Sequence, residues 1–195
     1  MKDNTFQTKR VSFFERHLIT AAALGAEMAY VVGPGAQASP ELLSKDAKEE
    51  LPADFPLLTF RDPEAFFAAL TAEAGRKTGA ADQKAPALMP AENLTVLLPA
   101  LAFQLPKDEL ERFLLRLAPF CKEGSTLLIH YPGGPTIPEG FPLHYSDFEM
   151  EDLLSRCHFR LYEHKTGGKG NAPALGGKTH DLPHSYCLAV RKPRT

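Results

Sequence analysis

The chain has 195 residues, a formal net charge of −2 and a hydrophobic share of 44%. That suits a single folded domain and gives no electrostatic argument for a nucleic-acid partner. Its cysteines, Cys121, Cys157 and Cys187, are odd in number and lack a close motif spacing, which argues against a disulfide framework and for the reducing cytoplasm.

The start, Met1 to Arg10, is polar, lacks a signal-peptide pattern and is expected to be flexible. From Val11 to Leu24, Phe13, Phe14, His17, Leu18, Ala21 and Leu24 recur at helical steps, and Gly25 stops the helix. Leu18 to Val32 carries Glu27 and is too short to span a bilayer, so no membrane partner is expected. Met28 to Val32 reads as a buried strand ending in Gly33-Pro34-Gly35. Ser39-Pro40-Glu41 places a capping residue before a first-turn proline, which predicts a helix from there to Leu51. Phe55 to Phe60 is the second predicted strand. Asp62-Pro63-Glu64 repeats the cap-then-proline signal before an Ala-rich helix, Ala65 to Ala74.

Gly75 to Pro90 shows no apolar period and reads as a loop or a reduced strand–helix unit. Leu94 to Leu98 is apolar enough for a central strand. Asp108 to Leu117 is a helix with Leu110, Phe113, Leu114 and Leu117 on one face. Thr126 to His130 is the next strand, and the Pro/Gly-dense stretch Tyr131 to Pro142 is a loop. Ser146 to Glu149 forms a capping pair for a helix through Arg156. Phe159 to Glu163 and Ser185 to Arg191 are the last strands, with a mobile Gly/Lys-rich loop, 165–183, between them. Strands alternating with helices predict a doubly wound, mostly parallel sheet in a three-layer α/β/α arrangement. The last two strands lack an intervening helix, so the final one is expected to be antiparallel.

Several residues carry chemical readings beside structural ones. Gly33-Pro34-Gly35 lets backbone N–H groups approach an anionic ligand, or is a plain strand-to-helix turn. Asp62 reads as a ribose-binding carboxylate or as a helix cap; both roles can coexist. His130, beside Tyr131, ends a central strand where ligands meet open α/β sheets. It is a candidate general base or substrate anchor, or simply a polar strand end. The loop after it, with Phe141, His144 and Tyr145, is a candidate acceptor wall. Ala172 to Thr179 lacks the first glycine of a phosphate loop and precedes no helix, so that reading is rejected. His180 and His184 are four apart, but Pro183 opposes the helix a zinc pair needs, so no metal is expected.

The order of elements resembles the class I S-adenosylmethionine-dependent methyltransferases. The resemblance rests on Leu105 to Leu114 followed by Lys122-Glu123-Gly124-Ser125-Thr126-Leu127-Leu128-Ile129. Phe148 to Leu154, His158-Phe159-Arg160 and the closing strand Cys187 to Pro193 also carry it. At the cofactor end, Tyr30-Val31-Val32-Gly33-Pro34-Gly35-Ala36 is similar to the family's first strand and glycine loop. Val31 stands where an acidic residue is usual, and Gln37 where a third glycine-like residue is. The resemblance implies S-adenosylmethionine as cofactor, held by Gly33, Pro34, Gly35, Asp62, Asp82, Pro99 and Ala100. It also implies methyl transfer to a small-molecule or protein acceptor, with His130 and Tyr131 as the catalytic candidates. The departures leave a second expectation, a non-catalytic binding or partner module on the same fold.

Overall fold

The computed structural model describes residues 12–26, 28–33, 44–53, 55–77, 93–134, 143–171 and 181–193. The elements are α1 (Phe13–Ala23), β1 (Ala29–Val32), α2 (Lys45–Glu50), β2 (Leu57–Phe60), α3 (Pro63–Lys77) and β3 (Thr95–Leu98). Then come α4 (Lys107–Leu117), β4 (Thr126–Pro132), α5 (Asp147–Arg156), β5 (Phe159–Asn171) and β6 (Asp181–Arg191). The sheet order is β2-β1-β3-β4-β6-β5. Neighbours from β2 to β4 are parallel, and β6 is antiparallel to both β4 and β5. The doubly wound sheet with an antiparallel last strand is therefore present. Among the described residues no helix is long and apolar enough to cross a membrane.

The central strands are apolar on both sides because both sides are covered. Tyr30, Val32, Val96, Leu98, Leu127 and Ile129 pack toward α3, α4 and α5. Ala29, Val31, Leu97 and Leu128 pack on the other face with Phe13 and Leu18 of α1. Phe66 and Phe67 of α3 meet Phe113 of α4 at ring separations of 6.2 and 5.2 Å. Each such buried ring contributes roughly 2–3 kcal/mol over an exposed one.

Right-handed crossovers explain the layers. The step from β1 to β2 carries α2 over the α1 face, where Ser44 N–H donates to the Glu15 carboxylate. The step from β2 to β3 runs back past β1, so α3 lands on the opposite face. This reversal opens a crevice at the carboxyl ends of β1 and β3, the place where open α/β sheets take ligands.

The expected boundaries shift in several places: β4 runs on through Tyr131 and Pro132, expected as loop, because both pair with β6 at Ser185 and His184. The second helix starts at Lys45, because Ser44 caps it by accepting from Ala47 N–H; Ser39 to Glu41 lies outside the described residues. The second strand starts at Leu57 rather than Phe55, after Pro56, whose carbonyl accepts from Ala29 N–H. Much of the expected loop 165–183 is strand: β5 runs to Asn171 and β6 begins at Asp181, paired through two register shifts. Before His184, β6 no longer pairs with β4, and the partner stretch Lys165-Thr166-Gly167-Gly168-Lys169-Gly170-Asn171 contains no apolar residue to signal a strand.

Candidate functional site

Gly33 closes β1 and donates its N–H to Phe60 O at 2.9 Å. Its φ is +131°, which L side chains rarely adopt. A Cβ there would stand 3.4 Å from the backbone nitrogen and Cβ of Leu101. Glycine thus lets the end of β1 approach the turn after β3. That turn begins at Pro99 and Ala100 and winds through a short 3₁₀ segment, Leu101–Phe103.

Asp62 lies past the end of β2, exposed, and accepts from Ala65 N–H at 2.9 Å to cap α3. Capping is the role its contacts display. Pro34, Gly35, Asp82 and Phe141 lie outside the described residues.

His130 lies on the α1 face of β4 and is only 7% exposed. Its Nδ1 is 2.9 Å from Pro99 O. A carbonyl only accepts, so Nδ1 carries the proton and Nε2 is left with a lone pair. Nε2 is buried and has no hydrogen-bond partner among the described residues. Burial pushes this imidazole down to about 4, opposed by the Pro99 bond and reinforced by His184. At neutral pH the ring is therefore uncharged.

Aromatic rings surround it. Tyr186 stacks on it at 4.3 Å and 12°, and Phe103 meets it edge-on at 4.7 Å. His184 and Phe14 approach edge-on at 5.0 and 6.4 Å. Sequence reasoning passed over Phe14, Phe103 and Tyr186. The alternation of His184 and Tyr186 hinted at one shared face, but the pairing of His130 with Tyr186 across β4 and β6 is a register that no local pattern contains.

Tyr131 does not join this site. Adjacent residues of a strand point to opposite faces, and Tyr131 is fully buried on the α5 side, its ring 6.2 Å from that of Tyr145. Its ring lies so close beneath Gly133 that a Cβ there would fall 2.4 Å from it. Burial raises the phenol pKa further from neutrality, so Tyr131 cannot act with His130 on one acceptor. His144 and Tyr145 are likewise buried, and an apolar environment lowers the imidazole and raises the phenol. Both side chains are buried rather than forming an open acceptor wall.

No protein-family model matches the sequence, and no curated protein does. Solved structures share its fold. Mitomycin 7-O-methyltransferase MmcR matches over 91% of this chain at 18% identity and a TM-score of 0.51. This chain spans only 56% of that protein's length. Magnesium protoporphyrin IX methyltransferase from Synechocystis PCC 6803, solved with bound S-adenosylhomocysteine, matches over 92% of this chain and 80% of its own, at 14% identity and a TM-score of 0.52. The (4+2)-cyclase SpnF matches over 92% and 81%, at 14% identity and a TM-score of 0.52.

Proposed function

We propose that the protein is an S-adenosylmethionine-dependent methyltransferase acting on a small molecule at the carboxyl edge of β1, β3 and β4. The observation that carries this reading is the topological reversal, with Gly33 at positive φ against Leu101 and, on β4, a neutral His130 whose Nε2 has no partner among the described residues. The likeness to methyltransferases, one solved with the demethylated cofactor, supports the choice of ligand.

The residues present fit that cofactor. Gly33, with Pro34 and Gly35, would receive its methionine end, where glycine admits close backbone approach. Asp62 uses one carboxylate oxygen for its cap, which leaves the other to accept from ribose hydroxyls. Pro99 and Ala100 would flank the cleft, and Asp82 is assigned to the adenine end. When bound, the cofactor supplies an electrophilic methyl group. The chain's own work is alignment, exclusion of water and acceptance of a proton at His130 Nε2. Three buried, free cysteines accord with a cytoplasmic setting.

Isothermal titration with S-adenosylhomocysteine, paired with thermal denaturation, tests the reading. A hundredfold excess over Kd should stabilise the fold by about 2.7 kcal/mol. Gly35→Asp should abolish binding through bulk and negative charge. Absence of binding by the natural chain would refute the cofactor assignment and favour a non-catalytic module.

A further inference from the structure

A cavity of about 380 Å³ lies between α1 and the sheet, at the edge opposite the crevice. Near the start of α1, Phe14 meets Tyr186 at 5.7 Å, on the carboxyl side of β4. At its end, Leu24 shares the cavity with Gly124, in the turn that leads into β4. Thr126, Leu188 and Val190 form the sheet side and Ala21 and Leu24 the helix side. Tyr162 joins them from the irregular point of β5, where pairing skips from Leu161 to Glu163. The helix side runs from Arg16 to Leu24, about 12 Å along a helix axis, so the space is a trough rather than a round pocket. Two hydroxyls of the lining are already donating: Thr20 to Arg16 O at 2.9 Å and Thr126 to Thr95 Oγ1 at 3.1 Å. Charge is gathered at one end, where Glu163 accepts from Arg16 and, at 3.1 Å, from His17 Nε2. Burial holds the His17 imidazole below its ordinary pKa, so it is neutral at neutral pH, and Arg16 and Glu163 cancel. Leu24 and Tyr162 are 83% and 68% exposed, which leaves two large apolar groups in water on one cavity. Among the described residues no helix separates β5 from β6 to cover this end of the α1 face.

We propose that this trough is a second ligand site, for an uncharged aliphatic molecule of medium chain length. Its chain would lie along Ala21, Leu24, Leu188 and Val190, with a hydroxyl or amide head at Arg16 and Glu163. A volume of this size, mostly apolar with a few polar groups at one end, is that of a small-molecule site. A hydroxyl or amide both donates and accepts, so it gives its proton to Glu163 and takes one from Arg16 without breaking their pair. A carboxylate head would face Glu163, and an ammonium head Arg16, each a like charge partly shielded from water. The site lies away from the cofactor crevice and does not depend on the methyl-transfer reading.

The test is amide NMR of the full ¹⁵N-labelled chain titrated with decanol, decanoate and decylammonium, each below its aggregation threshold, beside light scattering. Saturable decanol shifts should centre on Thr20, Leu24, Thr126 and Leu188 and spare Gly33 and Ala100. Decanol should bind about tenfold more tightly than either ion. Ala21→Trp, which fills the trough, should abolish decanol binding and leave the S-adenosylhomocysteine titration as it is in the natural chain. Leu24→Glu, at an exposed position, should weaken decanol binding and serves if the first variant does not fold. Glu163→Gln should retain decanol binding and raise decanoate affinity, because Arg16 then lacks its counter-charge. Absence of saturable decanol shifts, shifts centred on the carboxyl edge, tighter binding of either ion to the natural chain, or decanol affinity untouched in both trough variants would overturn the proposal. A dimer whose formation moves these resonances in place of decanol would assign the trough to a second copy and overturn it as well. The S-adenosylhomocysteine result for the natural chain bears on the cofactor reading alone.

Discussion

Acidification should unfold this protein in part through His130. The ordinary imidazole pKa is 6.5, and burial holds this one at about 4. Between those values the unfolded chain takes a proton that the folded chain refuses, so stability rises with pH across the window. Above pH 6.5 the full stability is present, and below about 4 this group costs nothing further. A gap of about 2.5 pH units corresponds to about 3 kcal/mol. By about pH 5, about 2 kcal/mol of that should already be lost. Urea unfolding of the natural chain and of His130→Phe, at several values from about pH 7 to about pH 4.5, measures the difference. His17 and His144, also lowered by burial, are common to both proteins, so the difference isolates His130. The difference between the two unfolding free energies should narrow by about 2 kcal/mol or more toward the acid end. Parallel pH profiles would refute both the burial argument and the neutral-ring premise of the site.

Gly33→Ala places a side chain at φ +131° and against Leu101, so chemical denaturation should register a loss of about 1–3 kcal/mol and titration a weaker S-adenosylhomocysteine affinity. Glu15 accepts from Ser12 N–H at 2.6 Å and also from Ser44 N–H, tying α1 to α2. Glu15→Ala should cost about 1–2 kcal/mol and speed hydrogen exchange at Ser44 before it does so in β4. Buried Arg191 donates to Ala118 O at 3.2 Å and His158 O at 2.7 Å. Arg191→Leu should lower stability by about 2–4 kcal/mol through the loss of two charge-assisted hydrogen bonds, although each carbonyl keeps a backbone donor, Cys121 N–H and Lys192 N–H; the loss should be visible in thermal melts, with cofactor affinity unchanged.

Most of the architecture follows from local chemistry. Runs such as Val96 to Leu98 and Leu127 to Ile129 are apolar on both sides because each becomes a central strand, and that composition is itself the signal. The Ser12, Asp62 and Ser146 caps need only their own neighbouring residues, so a helix start such as Ser146–Glu149 is written in four residues. The end of β1 at Gly33 and the antiparallel return also follow from element order, whereas His130, expected at a strand end, is followed by two more strand residues. What needed the tertiary structure was anything fixed by register or by the face a strand presents. His130 and Tyr131 are adjacent in sequence, yet pleating sends one toward α1 and the other under α5. Tyr186 joins His130 only because β6 pairs with β4 in one register among several that the apolar pattern would allow. The β5–β6 arm was invisible for the opposite reason: backbone pairing across strands does not require apolar side chains, and residues 165–171 contain none to set a period.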